Sequence, residues 1–198
     1  TSVNVLGLFG NSAGSRVMQI CLSHGYGMDR QERCKNTLNA VQGLLGCPEL
    51  ESYMEIPLDA IAALNDLLGG VTVTLQDDFT MADPAMQPGA TITLTGEQAV
   101  TLVRRRTDVA DGTNEARMKR QRIFMDAAVP MIREKIDESS GFVTTMLDTL
   151  APYLTTNMVR GRMINEINRA YHYKVEPVQY LDGDHVIGED GFMEFHAD

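Results

Sequence analysis

The 198-residue chain is long enough for one domain with a hydrophobic core, and its 43% of hydrophobic residues is ordinary for a globular protein. Its net charge of −10 argues against a general nucleic-acid binder, which usually has a basic surface. No apolar run reaches the roughly 18 residues of a membrane-spanning helix, and the composition is not that of a disordered chain.

The first quarter of the sequence predicts a hairpin followed by a helix. "SVNVLGLF" is strand-like, Gly10, Asn11 and Gly14 favour a turn, and "SRVMQICL" reads as a second strand or a short helix. Asp29 is a plausible N-cap for a helix that stops at Gly46. The predicted apolar stripe of this helix consists of Cys34, Leu38, Val41, Leu44 and Leu45.

Short strands and helices alternate along the middle of the chain. "ESYMEI", "VTVTL" and "TITL" predict strands, and "PLDAIAALNDLLGG" predicts a short helix between Pro57 and the pair Gly69 and Gly70. Thr95 and Gln98 have the spacing of a capping box, which predicts a further helix.

The last part predicts three helices and two strands. The helices lie at about 114–135, 141–150 and 159–171, and the strands are "YKVEPVQYL" and "GFMEFHA". The alternation predicts an α/β fold in which helices cover both faces of a mixed central sheet, an α/β/α sandwich. We expect a single domain over residues 1–198.

Positive charge is concentrated between Val103 and Phe124, in "VRRRTDVADGTNEARMKRQRIF". Seven basic and three acidic side chains give this window a net charge of +4, so the rest of the chain sums to −14. If "VRRR" is extended, Arg104 and Arg106 share one face and Arg105 points away.

The second half of this window predicts the start of a helix. Thr113 or Asn114 can cap it, Arg117 lies in its first turn and Gln121 lies one turn further on the same face. Free backbone N–H groups, the helix dipole and a planar guanidinium together favour an anion such as phosphate. The alternative is a solvated helix face whose arginines pair with nearby carboxylates, namely Asp108, Asp111 and Glu115.

Other residues support less specific predictions. The chain has three cysteines, Cys21, Cys34 and Cys47. Either Cys21 and Cys34 form a disulfide or all three are thiols, and the sequence does not distinguish these alternatives. Ser12 in "GNSAG" is better explained by a hairpin turn than by a nucleophile elbow. Methionines recur at helical spacing and predict core packing or, alternatively, a lipid tunnel; examples are Met118, Met125, Met131, Met146, Met158 and Met163.

The arginine segments "TLTGEQAVTLVRRR" and "DGTNEARMKRQRIF" resemble the two arginine motifs of the LytR-CpsA-Psr family, R-x-R and R-x-x-R-Q. "DAIAALNDLLGGVTVTLQDDFTMADPAM", "LSHGYGMDRQERCKNTLNAVQGLLG" and "GEDGFMEFHAD" are similar to further family segments, in the same order along the chain. By position, R-x-R falls on Arg104 and Arg106, and R-x-x-R-Q falls on Arg117, Arg120 and Gln121.

The resemblance implies an extracytoplasmic, membrane-anchored phosphotransferase. Such enzymes move a glycopolymer, of teichoic acid or capsule type, from an undecaprenyl-pyrophosphate carrier to peptidoglycan, with the lipid in an apolar tunnel. The implied pyrophosphate ligands are Arg104, Arg106, Arg117 and Gln121, and Arg120 is implied to serve structure or a weaker contact. A magnesium ion is implied for the complete domain.

The sequence departs from the family pattern at its beginning. The family's metal-binding and catalytic aspartates lie around R-S-D-T and R-D-T segments, and neither occurs here. We therefore expect a domain truncated at the N-terminus, which lacks its membrane helix and first strands, does not hold magnesium by itself and has no assigned catalytic residue. An exposed sheet edge would then permit a homodimer.

A second function stands beside the transferase. A non-catalytic regulator, or a module that binds an anionic glycopolymer or a protein partner of the cell envelope, would use the same arginines. Binding of nucleic acid is disfavoured by the charge of −14 outside the basic window.

Overall fold

The computed structural model describes residues 2–9, 12–46, 50–110, 112–174, 183–188 and 193–197. It consists of two compact units. The first comprises Thr1–Glu55, Thr155–Arg160 and His172–Asp198, and the second comprises Ile56–Leu154 and Gly161–Tyr171. A single domain over residues 1–198 stays a prediction.

The first unit begins with the predicted hairpin. Strands β1 (Ser2–Phe9) and β2 (Ser12–Gln19) pair antiparallel, with Phe9 opposite Ser12. The predicted turn residues Gly10 and Asn11 lie outside the described residues. A short 3-10 helix at Ile20–Gly25 follows β2, so "SRVMQICL" contains both a strand and the start of a helix. Because Ser12 opens a strand of a hairpin, it is not at a strand-to-helix elbow.

Helix α1 (Arg30–Leu45) follows in the first unit. The carboxylate of Asp29 accepts from the backbone N–H of Glu32 at 2.8 Å, and Gly46 ends the helix with φ 55°, as predicted. The predicted stripe is wrong at Leu44 and Leu45, which are exposed. The buried positions of the helix are instead Cys34, Asn36 and Ala40.

A polar cluster surrounds the thiol of Cys34. Glu55 lies 3.1 Å from Arg30, 3.7 Å from a ring nitrogen of His24 and 3.8 Å from the Cys34 sulfur. Burial, followed by the charge of Glu55, raises the pKa of the Cys34 thiol. Cys34 is a free thiol, so no disulfide joins it to Cys21, and Cys47 lies outside the described residues.

Two further antiparallel pairs complete the first unit. Strand β3 (Met54–Glu55), within the predicted "ESYMEI", pairs with β6 (Thr155–Thr156). Strand β7 (Gly183–Ile187) pairs with β8 (Met193–Ala197), and β8 confirms the strand predicted in "GFMEFHA". Most of the predicted strand "YKVEPVQYL" lies outside the described residues.

The second unit contains most of the predicted helices and the strand pair β4 (Thr72–Thr74) and β5 (Thr91–Thr93). Thr95 and Gln98 form the predicted capping box, because both reciprocal hydrogen bonds are present. The five helices of this unit are α2 (Ala60–Leu67), α3 (Gly96–Arg104), α4 (Asn114–Glu138), α5 (Phe142–Leu150) and α6 (Arg160–Ala170). Arg160, the first residue of α6, belongs to the first unit.

A hydrophobic core joins helices and strands of the second unit. Phe124 and Ala128 of α4 are fully buried against residues of α3 and β4, among them Ala99 and Val73. Asn65, at the end of α2, is a fully buried polar residue of this core. Its amide accepts from the Val71 N–H at 2.9 Å and donates to the carbonyl of Leu94 at 2.8 Å, so it ties α2 to the ends of both strands.

The predicted α/β class is confirmed. Over the described residues the strands pair as four two-stranded antiparallel sheets rather than as one mixed sheet. Strands of two or three residues, such as β3, β4, β5 and β6, form few ladder hydrogen bonds. Just outside β4 and β5, the backbone of Val71 and Leu94 is bonded to the Asn65 side chain.

Candidate functional site

The basic window lies in the second unit, where α3 ends and α4 begins. Helix α3 continues through Arg104, because the N–H of Arg105 still donates to the carbonyl of Thr101 at 3.1 Å. The backbone becomes extended only at Arg105, with φ −65° and ψ 136°. The prediction that "VRRR" as a whole is extended is therefore wrong for Val103 and Arg104.

Both arginines of the R-x-R motif are exposed. Nη1 of Arg104 lies 3.0 Å from a carboxylate oxygen of Asp59, and 64% of the Arg104 side chain is exposed. Nε of Arg106 donates to the carbonyl of Gly112 at 3.3 Å. The two guanidinium groups have different protein partners, and both are accessible to an anion from solution.

The loop between the two helices returns the chain towards the start of α4. Asp108 and Ala110 have left-handed backbones, with φ 62° and 51°, and Gly112 has φ 69°. A left-handed alanine is strained, and such strain is common in loops that hold ligands. Since Arg106 is bonded to Gly112, the R-x-R motif ends next to the residues that cap α4.

Arg117 lies in the first turn of α4, as predicted. Thr113 is the N-cap, and its hydroxyl accepts from the Ala116 N–H at 3.1 Å. The half-buried Arg117 donates from Nη2 to the Asn114 amide oxygen at 2.5 Å. Its Nε is buried and has no hydrogen-bond partner among the described residues. An unpaired buried donor on a charged group is costly, so a ligand oxygen at this point would stabilise it.

Arg120 and Gln121 reach from α4 to the backbone of the α3 exit. Arg120 is only 2% exposed; its Nη2 donates to the carbonyl of Arg105 at 2.6 Å, and its Nη1 lies 3.0 Å from a carboxylate oxygen of Asp77. The amide of Gln121 donates to the carbonyl of Val103 at 3.1 Å. The structure thus gives both residues contacts with the R-x-R segment.

Two further basic side chains of the window form ion pairs on the surface of α4. Lys119 lies 2.9 Å from Glu115, and Arg122 lies 2.6 Å from Asp126. These pairs fit the alternative of a solvated, salt-bridged helix face for this part of the window, although Glu115 is the one predicted acid among them and its partner is a lysine. Exposed pairs of this kind contribute little to stability.

A cavity of about 250 Å³ adjoins the start of α4. Its walls contain two ion pairs, Arg120 with Asp77 and Lys119 with Glu115, so the charges of its lining balance. The lining residues are Gln76, Asp77, Ala110, Thr113, Glu115, Ala116, Lys119 and Arg120. The cavity is polar and neutral overall, which suits uncharged polar groups better than a free cation.

The described residues do not fit a magnesium site. Hard divalent cations require several oxygen ligands, usually carboxylates. Within the described ranges, no group of three or more histidine, cysteine, aspartate or glutamate residues could hold a metal ion. The carboxylate of Asp77 is already paired with Arg120. Magnesium stays a prediction from the family resemblance, and no step below depends on it.

The methionines differ in their surroundings. Met146 and Met163 are buried, as core packing predicts. Met118 and Met125, seven residues apart on α4, are 48% and 43% exposed. Their spacing puts them on one face of α4, where both are accessible. In the described part of the chain, no helix is both long and apolar enough to span a membrane.

A family model described as the LytR_cpsA_psr family matches residues 24–187. No curated protein sequence matches the chain.

Several solved structures share the fold. Protein gbs0355 from Streptococcus agalactiae is 21% identical, with a TM-score of 0.75, over 98% of this chain and 65% of that chain. TagT bound to LI-WTA is 20% identical, with a TM-score of 0.67, over 100% of this chain and 84% of that chain. TagU of B. subtilis is 18% identical, with a TM-score of 0.62, over 100% of this chain and 75% of that chain. At these identities the likeness concerns the fold.

Proposed function

Since the chain belongs to the LytR-CpsA-Psr family, we propose that it acts in the transfer of a glycopolymer from a polyprenyl-pyrophosphate carrier to cell-wall peptidoglycan. The carrier would be undecaprenyl pyrophosphate, and the polymer would be of teichoic acid or capsule type. The place of action would be the outer face of the cell membrane. Likeness of fold to TagT and TagU supports this proposal.

One observation supports the choice of site above the others. The bond from Arg106 to Gly112 holds the R-x-R motif next to the start of α4, where the buried Nε of Arg117 has no partner among the described residues. A pyrophosphate has several anionic oxygens, and guanidinium groups bind such oxygens in bidentate fashion. We propose Arg104, Arg106, Arg117 and Gln121 as its ligands, as in the family motif.

The chemistry of the proposed reaction requires what these residues supply. A hydroxyl oxygen of the acceptor sugar bonds to the phosphorus that carries the glycopolymer, and the bridging P–O bond breaks. Polyprenyl phosphate leaves with the electron pair, and the hydroxyl proton goes to solvent or a base. Charge accumulates on the leaving phosphate, and arginines fixed beside it stabilise that charge in the transition state.

A transfer assay tests the proposal. The protein is incubated with a synthetic polyprenyl-pyrophosphate-linked oligosaccharide that carries a radiolabel in its sugar, and with soluble peptidoglycan oligomers. We expect label on the oligomers and release of polyprenyl phosphate in equal amount. Donor binding without transfer would contradict the transferase and favour the alternative, a non-catalytic glycopolymer-binding module. Absence of donor binding would contradict both.

A further inference from the structure

Two consecutive residues of α4 bind alternate carbonyl groups of the α3 exit. Gln121 donates to the carbonyl of Val103 at 3.1 Å, and Arg120 donates to the carbonyl of Arg105 at 2.6 Å. Arg120 is held in turn by Asp77, at 3.0 Å. We call Asp77, Arg120 and Gln121 the backbone clamp. Its members come from the loop after β4 and from the second turn of α4.

We infer that the backbone clamp positions the two arginines of the R-x-R motif; this inference rests on the proposed function. A peptide unit is planar, so each carbonyl shares a rigid plane with the Cα of the next residue. Fixing the Val103 carbonyl fixes the plane that ends at the Cα of Arg104. Fixing the Arg105 carbonyl does the same for Arg106. The alternate spacing of the two contacts therefore matches the alternate spacing of the two arginines.

Arg120 acts through these contacts rather than on the anion. Its Nη1 and Nη2 are used by Asp77 and by the Arg105 carbonyl. Its Nε, like that of Arg117, is buried and has no hydrogen-bond partner among the described residues, but the Arg120 side chain as a whole is only 2% exposed and so is out of reach of an anion from solution. Its guanidinium carbon also lies 5.8 Å from the centre of the Phe79 ring. The Asp77 carboxylate offsets its charge. Arg120 is therefore a positioning residue and not a ligand in this proposal.

The role of Asp77 gives a test in which electrostatics and positioning predict opposite signs. Removal of a carboxylate near an anion site strengthens anion binding if charge alone matters. The backbone clamp predicts the reverse, because Arg120 without its partner no longer holds the Arg105 carbonyl in one place. For Asp77→Asn we expect the Kd of geranylgeranyl pyrophosphate, measured by calorimetry at constant ionic strength, to rise five- to tenfold, which is roughly 1–1.4 kcal/mol.

Glu115→Gln is the matched control. It also removes a carboxylate from an ion pair beside the start of α4, since Glu115 pairs with Lys119 at 2.9 Å, and Lys119 is not a member of the backbone clamp. We expect its Kd to be unchanged or lower. An unchanged or lower Kd in Asp77→Asn as well would overturn the inference.

A double variant separates positioning from general destabilisation. In an Arg104→Ala, Arg106→Ala background the positioned groups are absent, so adding Asp77→Asn should have no further effect on the Kd. A loss that persists in this background would overturn the inference. Arg120→Lys keeps the buried charge but lacks the planar fork that reaches two partners, and we expect it to weaken binding in the same way as Asp77→Asn.

The inference and the proposed function fail differently. If Arg106→Ala leaves the Kd for geranylgeranyl pyrophosphate unchanged, the proposed site is wrong and the backbone clamp has nothing to position. If Arg106→Ala weakens binding but Asp77→Asn and Arg120→Lys do not, the site stands and only the backbone clamp is wrong.

Discussion

Alanine in place of Arg117 or Arg106 is expected to weaken the binding of geranylgeranyl pyrophosphate about 100-fold. A hydrogen bond to a charged group contributes about 1.5–3 kcal/mol, and the upper part of this range corresponds to about two orders of magnitude in Kd. Arg117 is expected to show at least as large an effect as Arg106, because its Nε is buried and unpaired among the described residues. Calorimetric titration of each variant measures the change.

Three neighbouring charges serve as controls for this prediction. Lys119 and Arg122 pair with carboxylates on the surface of α4. Arg120 bonds to the main-chain carbonyl of Arg105, which an alanine at this position keeps. Lys119→Ala, Arg122→Ala and Arg105→Ala are each expected to change the Kd by about threefold or less, as for an exposed pair. Equal losses in all five variants would show a diffuse attraction to positive charge and not a site.

Replacement of Asn65 by alanine is expected to lower the free energy of unfolding by about 2–4 kcal/mol. The substitution leaves the Val71 N–H and the Leu94 carbonyl without partners in the core, and each unpaired buried group costs roughly 1–3 kcal/mol. Urea denaturation followed by circular dichroism measures the change. The affected strands β4 and β5 lead to Asp77 and to the capped start of α3, so this asparagine supports the frame of the site.

Asn168→Ala is the matched control for this substitution. Asn168 lies on α6 in the same unit and is exposed. We expect its substitution to change the stability by about 0.5 kcal/mol or less, as for most surface positions. A loss below about 1 kcal/mol for Asn65→Ala would show that other groups or water satisfy the two backbone partners.

The features that the sequence predicts best depend on residues close together in the chain. The capping box of Thr95 and Gln98, the N-cap Asp29 and the left-handed Gly46 all involve groups within one helical turn. Such interactions form in the same way whatever the rest of the fold does. The placement of Arg117 in the first turn of α4 follows from the same local rules.

The features that the sequence does not predict depend on distant partners. Helix α3 continues through Arg104, where the sequence predicts an extended "VRRR", and Leu102 and Val103 are both buried in the core. In α1, Asn36 is buried because its amide donates to the carbonyl of Tyr26, while Leu45 is exposed. Polarity and periodicity within a helix do not reveal such contacts.

The longest-range features have no local signal. Strand β6 is two residues long and pairs with β3, about 100 residues earlier in the chain. Arg120 meets Asp77 across 43 residues, and an arginine in a basic run gives no sign of being buried. The family motif implies only a structural role or a weaker anion contact for Arg120. Its contact with the Arg105 carbonyl is visible only in the structure.

The central claim is that the arginines at the α3–α4 junction recognise a pyrophosphate head group. The most direct measurement compares the wild-type Kd for geranylgeranyl pyrophosphate with that for geranylgeraniol, which has the same chain and no phosphate. The arginine site predicts at least about 100-fold tighter binding of the pyrophosphate, with a preference that falls as the salt concentration rises. Equal affinity for the two compounds would contradict it.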